Sequence, residues 1–223
     1  MATHLDLEEQ EQLDQVKAFW NQYGNLITWL LVIVLGAYAA WNGWNWYQRD
    51  QAVKAGAMYD ELDAAAAAGD AERTNRVFSD LKSRYPGTAF AEQGGLVAAK
   101  VLYEKGQADA ARAALAWVAD NAVENEYRTI ARLRLAGLLL DAKNYPEALK
   151  QLDGADAKPF AALVDDRRGD VLLAEGKKDE ARAAYLRAWN AMDPKLDYRR
   201  LIEAKLNVLG VDPASPAASG APR

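Results

Sequence analysis

The chain has 223 residues, no cysteine, one histidine and a formal net charge of −5, of which −4 falls within residues 1–25. Without cysteine, disulfides, thiolate-bound zinc and thiol catalysis are excluded, and the nearly neutral remainder offers no phosphate-binding footprint, so nucleic acid is not an expected partner. Roughly 160 residues lie between the apolar N-terminal stretch and the tail, enough for a well-buried core.

The first 25 residues are acidic, with Asp6, Glu8, Glu9, Glu11 and Asp14 against Lys17. Leu13, Val16, Phe19 and Trp20 recur at helical spacing, which predicts a short amphipathic helix that Gly24-Asn25 separates from the apolar run beyond it. This segment reads as a solvated lead-in.

Leu26 to Tyr47 reads as one transmembrane helix. No side chain from Ala18 to Gln48 is charged, and crossing a hydrocarbon core of ~30 Å takes about 20 mostly apolar residues. Five of the seven Trp fall in the first 46 residues. Trp20, Tyr23, Trp44, Trp46 and Tyr47 are placed at the membrane interfaces, where an amphipathic ring keeps its body in the apolar layer and its N–H or O–H in water. Ala37-Tyr38-Ala39 fits the cleavage pattern of a signal peptide, but the acidic segment before it is the opposite of a basic n-region. Lys17 and the terminal amine against Arg49 and Lys54 weakly favour a cytoplasmic C-terminus. Large domains translocate regardless of so small a bias, so charge leaves the orientation open.

Beyond the span the chain turns Ala-rich, with breakers at regular intervals: Ala68-Gly69-Asp70, Tyr85-Pro86-Gly87, Lys105-Gly106-Gln107, Asp120-Asn121, Lys143-Asn144-Tyr145-Pro146, Lys158-Pro159, Glu175-Gly176-Lys177 and Asp193-Pro194. The segments between them carry apolar residues three and four apart, which predicts antiparallel helical hairpins. GQADAARAAL (106–115), KNYPEALKQL (143–152) and GKKDEARAAY (176–185) align without gaps. Each places a small residue (Ala111, Ala148, Ala181) one turn before Leu115, Leu152 or Tyr185, and twelve residues upstream stand Ala99, Ala136 and Gly169. The intervals of 37 and 33 residues bracket the tetratricopeptide period of about 34. Residues 51–85 look like a degenerate first repeat, and Asp197–Leu209 like a capping helix. The expected fold is all-α: the transmembrane helix, a tetratricopeptide-like helical-hairpin solenoid over 48–210, and a disordered tail over 211–223, whose Pro, Ala, Ser and Gly lack apolar bulk.

An active site is hard to assemble. The histidine, His4, precedes the span, no phosphate-cradling glycine loop with Lys occurs, and Gly94-Gly95 reads as a close helix packing site. The Asp165-Asp166 and Glu124/Glu126 pairs read as solvated surface, because sequence neighbours on a helix point to different faces. No catalytic, cofactor or metal residue is assigned. A solenoid of this kind binds partners on the wall formed by the first helix of each pair. The repeat register places Leu96, Lys100, Tyr103, Leu133, Gly137, Leu140, Asp166, Asp170 and Leu173 on that wall, a mixture suited to an apolar peptide or amphipathic helix.

Several stretches, taken in their order and spacing, carry a family resemblance: Glu11-Gln12-Leu13 with Val16-Lys17 and Phe19, Leu133-Arg134-Leu135-Ala136, and Ala148-Leu149-Lys150 with Leu152-Asp153. They continue with Asp166, Arg168-Gly169-Asp170, Gly176 followed by Ala181-Arg182-Ala183-Ala184-Tyr185, and Ala204-Lys205-Leu206-Asn207. Up to about Gly210 the chain resembles the YfgM-type ancillary subunits of the bacterial SecYEG translocon. The resemblance implies a single-pass inner-membrane protein, N-terminus cytoplasmic and repeat domain periplasmic, without a cofactor. It implies as partners the SecYEG translocon, a membrane-anchored parvulin-like periplasmic chaperone and unfolded exported polypeptides. Two non-enzymatic readings stay open: an adaptor or chaperone that touches such polypeptides, and a scaffold or assembly factor of another envelope complex.

Overall fold

The computed structural model describes residues 7–155 and 158–213 and divides into two compact units, Met1–Gln51 and Ala52–Arg223. His4 and most of the predicted disordered tail, residues 214–223, lie outside the described residues. All secondary structure among the described residues is helical.

Helix α1 spans Leu7–Ala67, and its residues up to Gln51 make up the first unit. The expected break at Gly24-Asn25 is not there. Glycine in a helix interior costs only about 1 kcal/mol relative to alanine, too little to break a helix that runs on for many residues on both sides. The Trp20 indole also folds back over Gly24, where a Cβ would lie 3.1 Å from it, and the Thr28 hydroxyl donates to the Gly24 carbonyl at 2.8 Å. The apolar part of α1 has a mean hydropathy of 1.7 with 6% of that stretch covered by protein. A soluble core helix of that composition would be buried, so this one is a candidate membrane span by length, composition and exposure. Trp20, Tyr23, Trp44, Trp46 and Tyr47 are all exposed on it, and Trp44 and Tyr47 pack ring to ring at 6.1 Å.

The second unit begins with residues 52–67 of α1. It continues with α2 (Ala71–Arg84), α3 (Ala89–Glu104), α4 (Ala108–Asn121), α5 (Asn125–Asp141) and α6 (Tyr145–Asp153). A short 3₁₀ turn (Lys158–Phe160) leads into α7 (Ala161–Ala174), α8 (Lys178–Ala191) and α9 (Tyr198–Val208). The hairpins are α3–α4, α5–α6 and α7–α8, preceded by the pairing of 52–67 with α2 and closed by α9. Their punctuation is one motif used five times. Gly69, Gly106, Lys143, Gly176 and Gly210 all have positive φ and stand 37, 37, 33 and 34 residues apart. Each donates its N–H three residues back, and the next residue donates five back, as in Asp70 to Ala65 (3.0 Å), Gln107 to Leu102 (2.8 Å) and Lys177 to Leu172 (2.9 Å). These pairs cap orphan carbonyls at the helix ends. Lys143 alone carries a Cβ in this left-handed conformation, at φ 57°. Lys143→Gly is therefore expected to raise stability by about 0.5–1 kcal/mol, measured as a higher melting temperature. An unchanged or lower one would contradict a strained turn.

Small residues set the hairpin spacing as the repeats predict. Ala111, Ala148 and Ala181 are fully buried, and so, within 2%, are Leu115, Leu152 and Tyr185 one turn on. The register extends upstream: Thr74 and Phe78 occupy the same two positions in α2 and are also buried. The apolar faces form two cores, one running from Ala55 through α2–α6 to Val171. The other holds Tyr185, Met192, Ile202 and Leu206 at the α7–α9 end, with Leu149 packing against both. Gly95 accommodates Val118, whose Cγ2 would overlap any Cβ there, which bears out close packing at Gly94-Gly95.

One buried acid fixes a loop. Glu92, in the first turn of α3, is 1% exposed. Its Oε1 accepts the Val123 N–H at 2.7 Å, which ties down the α4–α5 connection, while Oε2 has no hydrogen-bond partner. Burial pushes its carboxyl above the usual glutamate value, against the Val123 hydrogen bond and Arg128, which pull it down. A raised folded-state pKa gives a contribution to stability that is full below the unfolded value and lost as pH rises through the folded one. Glu92→Gln keeps an acceptor for Val123 and has no such titration. Its melting temperature relative to the parent should thus be highest at neutral pH and fall as pH drops toward the ordinary glutamate range. A difference that stays constant with pH would contradict the shift.

Candidate functional site

Two adjoining clefts open on the wall made by the first helices of the hairpins. One, of about 360 Å³, is lined from α3 by Lys100 and Tyr103, from α5 by Arg134, Gly137 and Asp141, and from α7 by Arg167. The other, of about 490 Å³, shares Lys100 and Arg134 and extends over Gln93 and Leu96 to Tyr59 and Asp63. Hydrogen bonds across neighbouring first helices hold this wall together. Tyr103 donates its hydroxyl to Asp141 at 2.8 Å, and Gln93 donates to the Tyr127 hydroxyl at 2.7 Å. The Asp141 carboxylate raises the Tyr103 pKa, so this hydroxyl stays a donor at any physiological pH.

The cations of the wall are loosely held. Arg167 stands 3.7 Å from Asp170, and Lys100 stands 3.9 Å from Glu104 with both side chains mostly exposed. Arg134 reaches only the Leu96 carbonyl, at 3.4 Å, and forms no ion pair among the described residues. Gly137 leaves the floor open: a Cβ there would lie 3.7 Å from the Arg167 guanidinium and touch nothing nearer. Lys100, Arg134 and Arg167 thus face one recess from three successive first helices, with Asp141 as the lining carboxylate.

The sequence-derived wall is partly brought together here. Leu96, Lys100, Tyr103 and Gly137 line the clefts. Leu133 and Leu140 instead pack against the first core, and Leu173 against the second. Asp166 and Asp170 are not open wall. Asp166 is 2% exposed, which also corrects its reading as solvated surface. Lys205 of α9 bonds both its oxygens, at 2.8 and 2.9 Å, and Asp170 at 2.6 Å. Tyr198 donates to Asp166 at 2.7 Å and Tyr185 to Asp170 at 2.8 Å. The reason is positional: α9 ends at the fifth positive-φ turn, so it fills the slot of a next first helix and covers α7. Burial, then the Asp170 carboxylate, pushes the Tyr185 hydroxyl far up, and burial with the Asp166 hydrogen bond does the same for Tyr198. Both remain donors, and the cluster is a latch for the terminal helix.

Arg134 and Arg167 went unread in the sequence although a signal exists. Each stands two residues before the small residue of its first helix, Ala136 or Gly169, so the repeat register places both at one position. Among the described residues no group of three or more His, Asp or Glu is placed to hold a metal. The arrangement offers hydrogen bonds, apolar surface and positive charge to the recess.

A family model of the tetratricopeptide repeat-like domain matches residues 17–211. The ancillary SecYEG translocon subunit of Neisseria gonorrhoeae is 32% identical, over 94% of this chain and all of its own length. That of Escherichia coli is 28% identical over 91% of this chain and 97% of its own, and that of Haemophilus influenzae 27% identical over 82% and 89%. No solved structure gives a significant match.

Proposed function

Because the chain belongs to the ancillary SecYEG translocon subunits, built on a tetratricopeptide repeat-like domain, we propose that it is a non-catalytic adaptor of that translocon. Its first-helix wall binds partner proteins or polypeptides emerging from the channel. Residues 1–25 are cytoplasmic, 26–47 span the inner membrane, and 48–210 form a periplasmic domain beside a membrane-anchored parvulin-like chaperone. The observation that carries this reading is the open cleft on α3, α5 and α7, joined in one chain to an apolar helix that protein leaves uncovered. A stack of hairpins presents its first helices as a continuous binding surface, and an anchor raises its effective concentration at a membrane channel.

The absence of cysteine makes the test clean. In spheroplasts, a membrane-impermeant maleimide should label Ser215→Cys directly and Thr3→Cys only after permeabilisation. The full chain, extracted in mild detergent, should co-isolate with SecYEG. The reverse labelling pattern would overturn the orientation, and isolation free of SecYEG would overturn the adaptor reading.

A further inference from the structure

From the charge of the cleft we infer that its ligand is an extended acidic polypeptide segment, with carboxylates about three residues apart. This inference rests on the polypeptide-binding reading above and names the chemistry that the site selects. Lys100, Arg134 and Arg167 enter the recess from α3, α5 and α7 against one lining carboxylate, Asp141, which is already occupied by the Tyr103 hydroxyl. The nearest acids to Lys100 and Arg167 stand at 3.9 and 3.7 Å, and Arg134 has no ion pair among the described residues. Placing three cations side by side has a repulsive cost that an anionic guest relieves. A guanidinium also forms bidentate bonds to a carboxylate.

Spacing selects the form of the guest. Packed helices lie about 8–10 Å apart. A polyproline II chain repeats every three residues at ~3.1 Å each, so every third side chain falls on one face at about that interval. Acids at i, i+3 and i+6 would therefore meet one cation per helix, while the residues between them lie over the half-apolar floor at Gly137. A flat anionic lipid surface has no such reach into a recess between helices. Nucleic acid would meet a chain of net charge −5.

The test uses the full chain in detergent and a fluorescent peptide with Glu at every third position and Leu and Ala between, read by anisotropy. The Glu peptide should bind at least about tenfold more tightly than its Gln counterpart, and lose that advantage at high salt. Arg134→Glu, and separately Arg134→Ala with Arg167→Ala, should bring it to the level of the Gln peptide. Both changes lie on the exposed or half-exposed wall, so the melting temperature should hold. Equal binding of Glu and Gln peptides, or affinity indifferent to Arg134→Glu, would overturn the inference. In that event, binding of both peptides that Gly137→Trp abolishes would leave the polypeptide-binding reading standing. Failure of these peptides and of an unfolded exported polypeptide alike to bind would remove both.

Discussion

Gly169→Ala is expected to destabilise the repeat domain by about 2–3 kcal/mol, as overpacking of a closed core does. A Cβ at Gly169 would lie 2.9 Å from Cζ of Tyr185 and still closer to the near edge of that ring. Tyr185 is fully buried and hydrogen-bonded to Asp170, so it cannot swing away cheaply. The repeats show what this site is: the pairs Ala99 with Leu115 and Ala136 with Leu152 become Gly169 with Tyr185. A larger residue on the second helix is matched by a smaller one on the first. Tyr185→Leu alone leaves a cavity and frees Asp170 of one donor. The double variant Gly169→Ala/Tyr185→Leu recreates the upstream pair and should be more stable than Gly169→Ala alone. Melting temperatures of the four proteins form a double-mutant cycle. Losses that simply add would refute the paired origin of the two residues.

Lys205→Met should cost about 3 kcal/mol, because it removes the cation from the buried Asp166 carboxylate, which keeps only the Tyr198 hydroxyl, and takes one partner from Asp170. Asp166 is 2% exposed and Lys205 supplies bonds to both its oxygens. The loss should appear first at α9, whose other ties include the Tyr198 hydroxyl on Asp166, Ile202 and Leu206 in the second core, and the Arg199 guanidinium 3.8 Å over the Trp189 ring. Native-state trypsin cleavage at Arg199 and Arg200 should accelerate. The control is Asp197→Asn, which weakens an exposed pair with Arg200 at 3.8 Å and keeps both trypsin sites. Surface pairs of this kind contribute at most about 1 kcal/mol. Equal effects of the two substitutions would show that the latch is not what holds the terminal helix.

Much of the fold is legible in the residues alone. Ala111, Ala148 and Ala181 stand out because close helix approach tolerates only small residues, and most of the positive-φ turns stand out as glycines. Lys143 breaks that second pattern, yet the surrounding match keeps its loop in register. The run without charge from Ala18 to Gln48 marks the candidate membrane span, since water offers no reason for such a helix to stay uncovered. Gly24-Asn25 misleads because glycine weakens a helix without forbidding it.

The site is half legible for a different physical reason. Periodicity tells which face of a helix is inward, and that places Lys100, Tyr103 and Gly137 on the wall where the cleft lies. It does not tell which polar residue on that face meets a partner far along the chain. Asp166 and Lys205 are 39 residues apart, and Glu92 and Val123 are 31 apart. Such pairs are written in the stacking, which no local pattern reports. Arg134 and Arg167 differ: their repeat register is visible, but an arginine two residues from a buried small residue reads as ordinary solvated surface until a recess is seen beside it.

If the first-helix wall meets chains in export, a photo-crosslinking residue placed at Tyr103 in the full chain in native membranes should capture them. Leu133, packed against the core one helix away, serves as the matched control. Crosslinks from position 103 to a translocating polypeptide or to a translocon-associated partner, which fade when export is blocked and are absent from position 133, are the predicted result. Crosslinks from 103 that go only to an unrelated envelope assembly and ignore the export block would show that the wall does not receive exported chains.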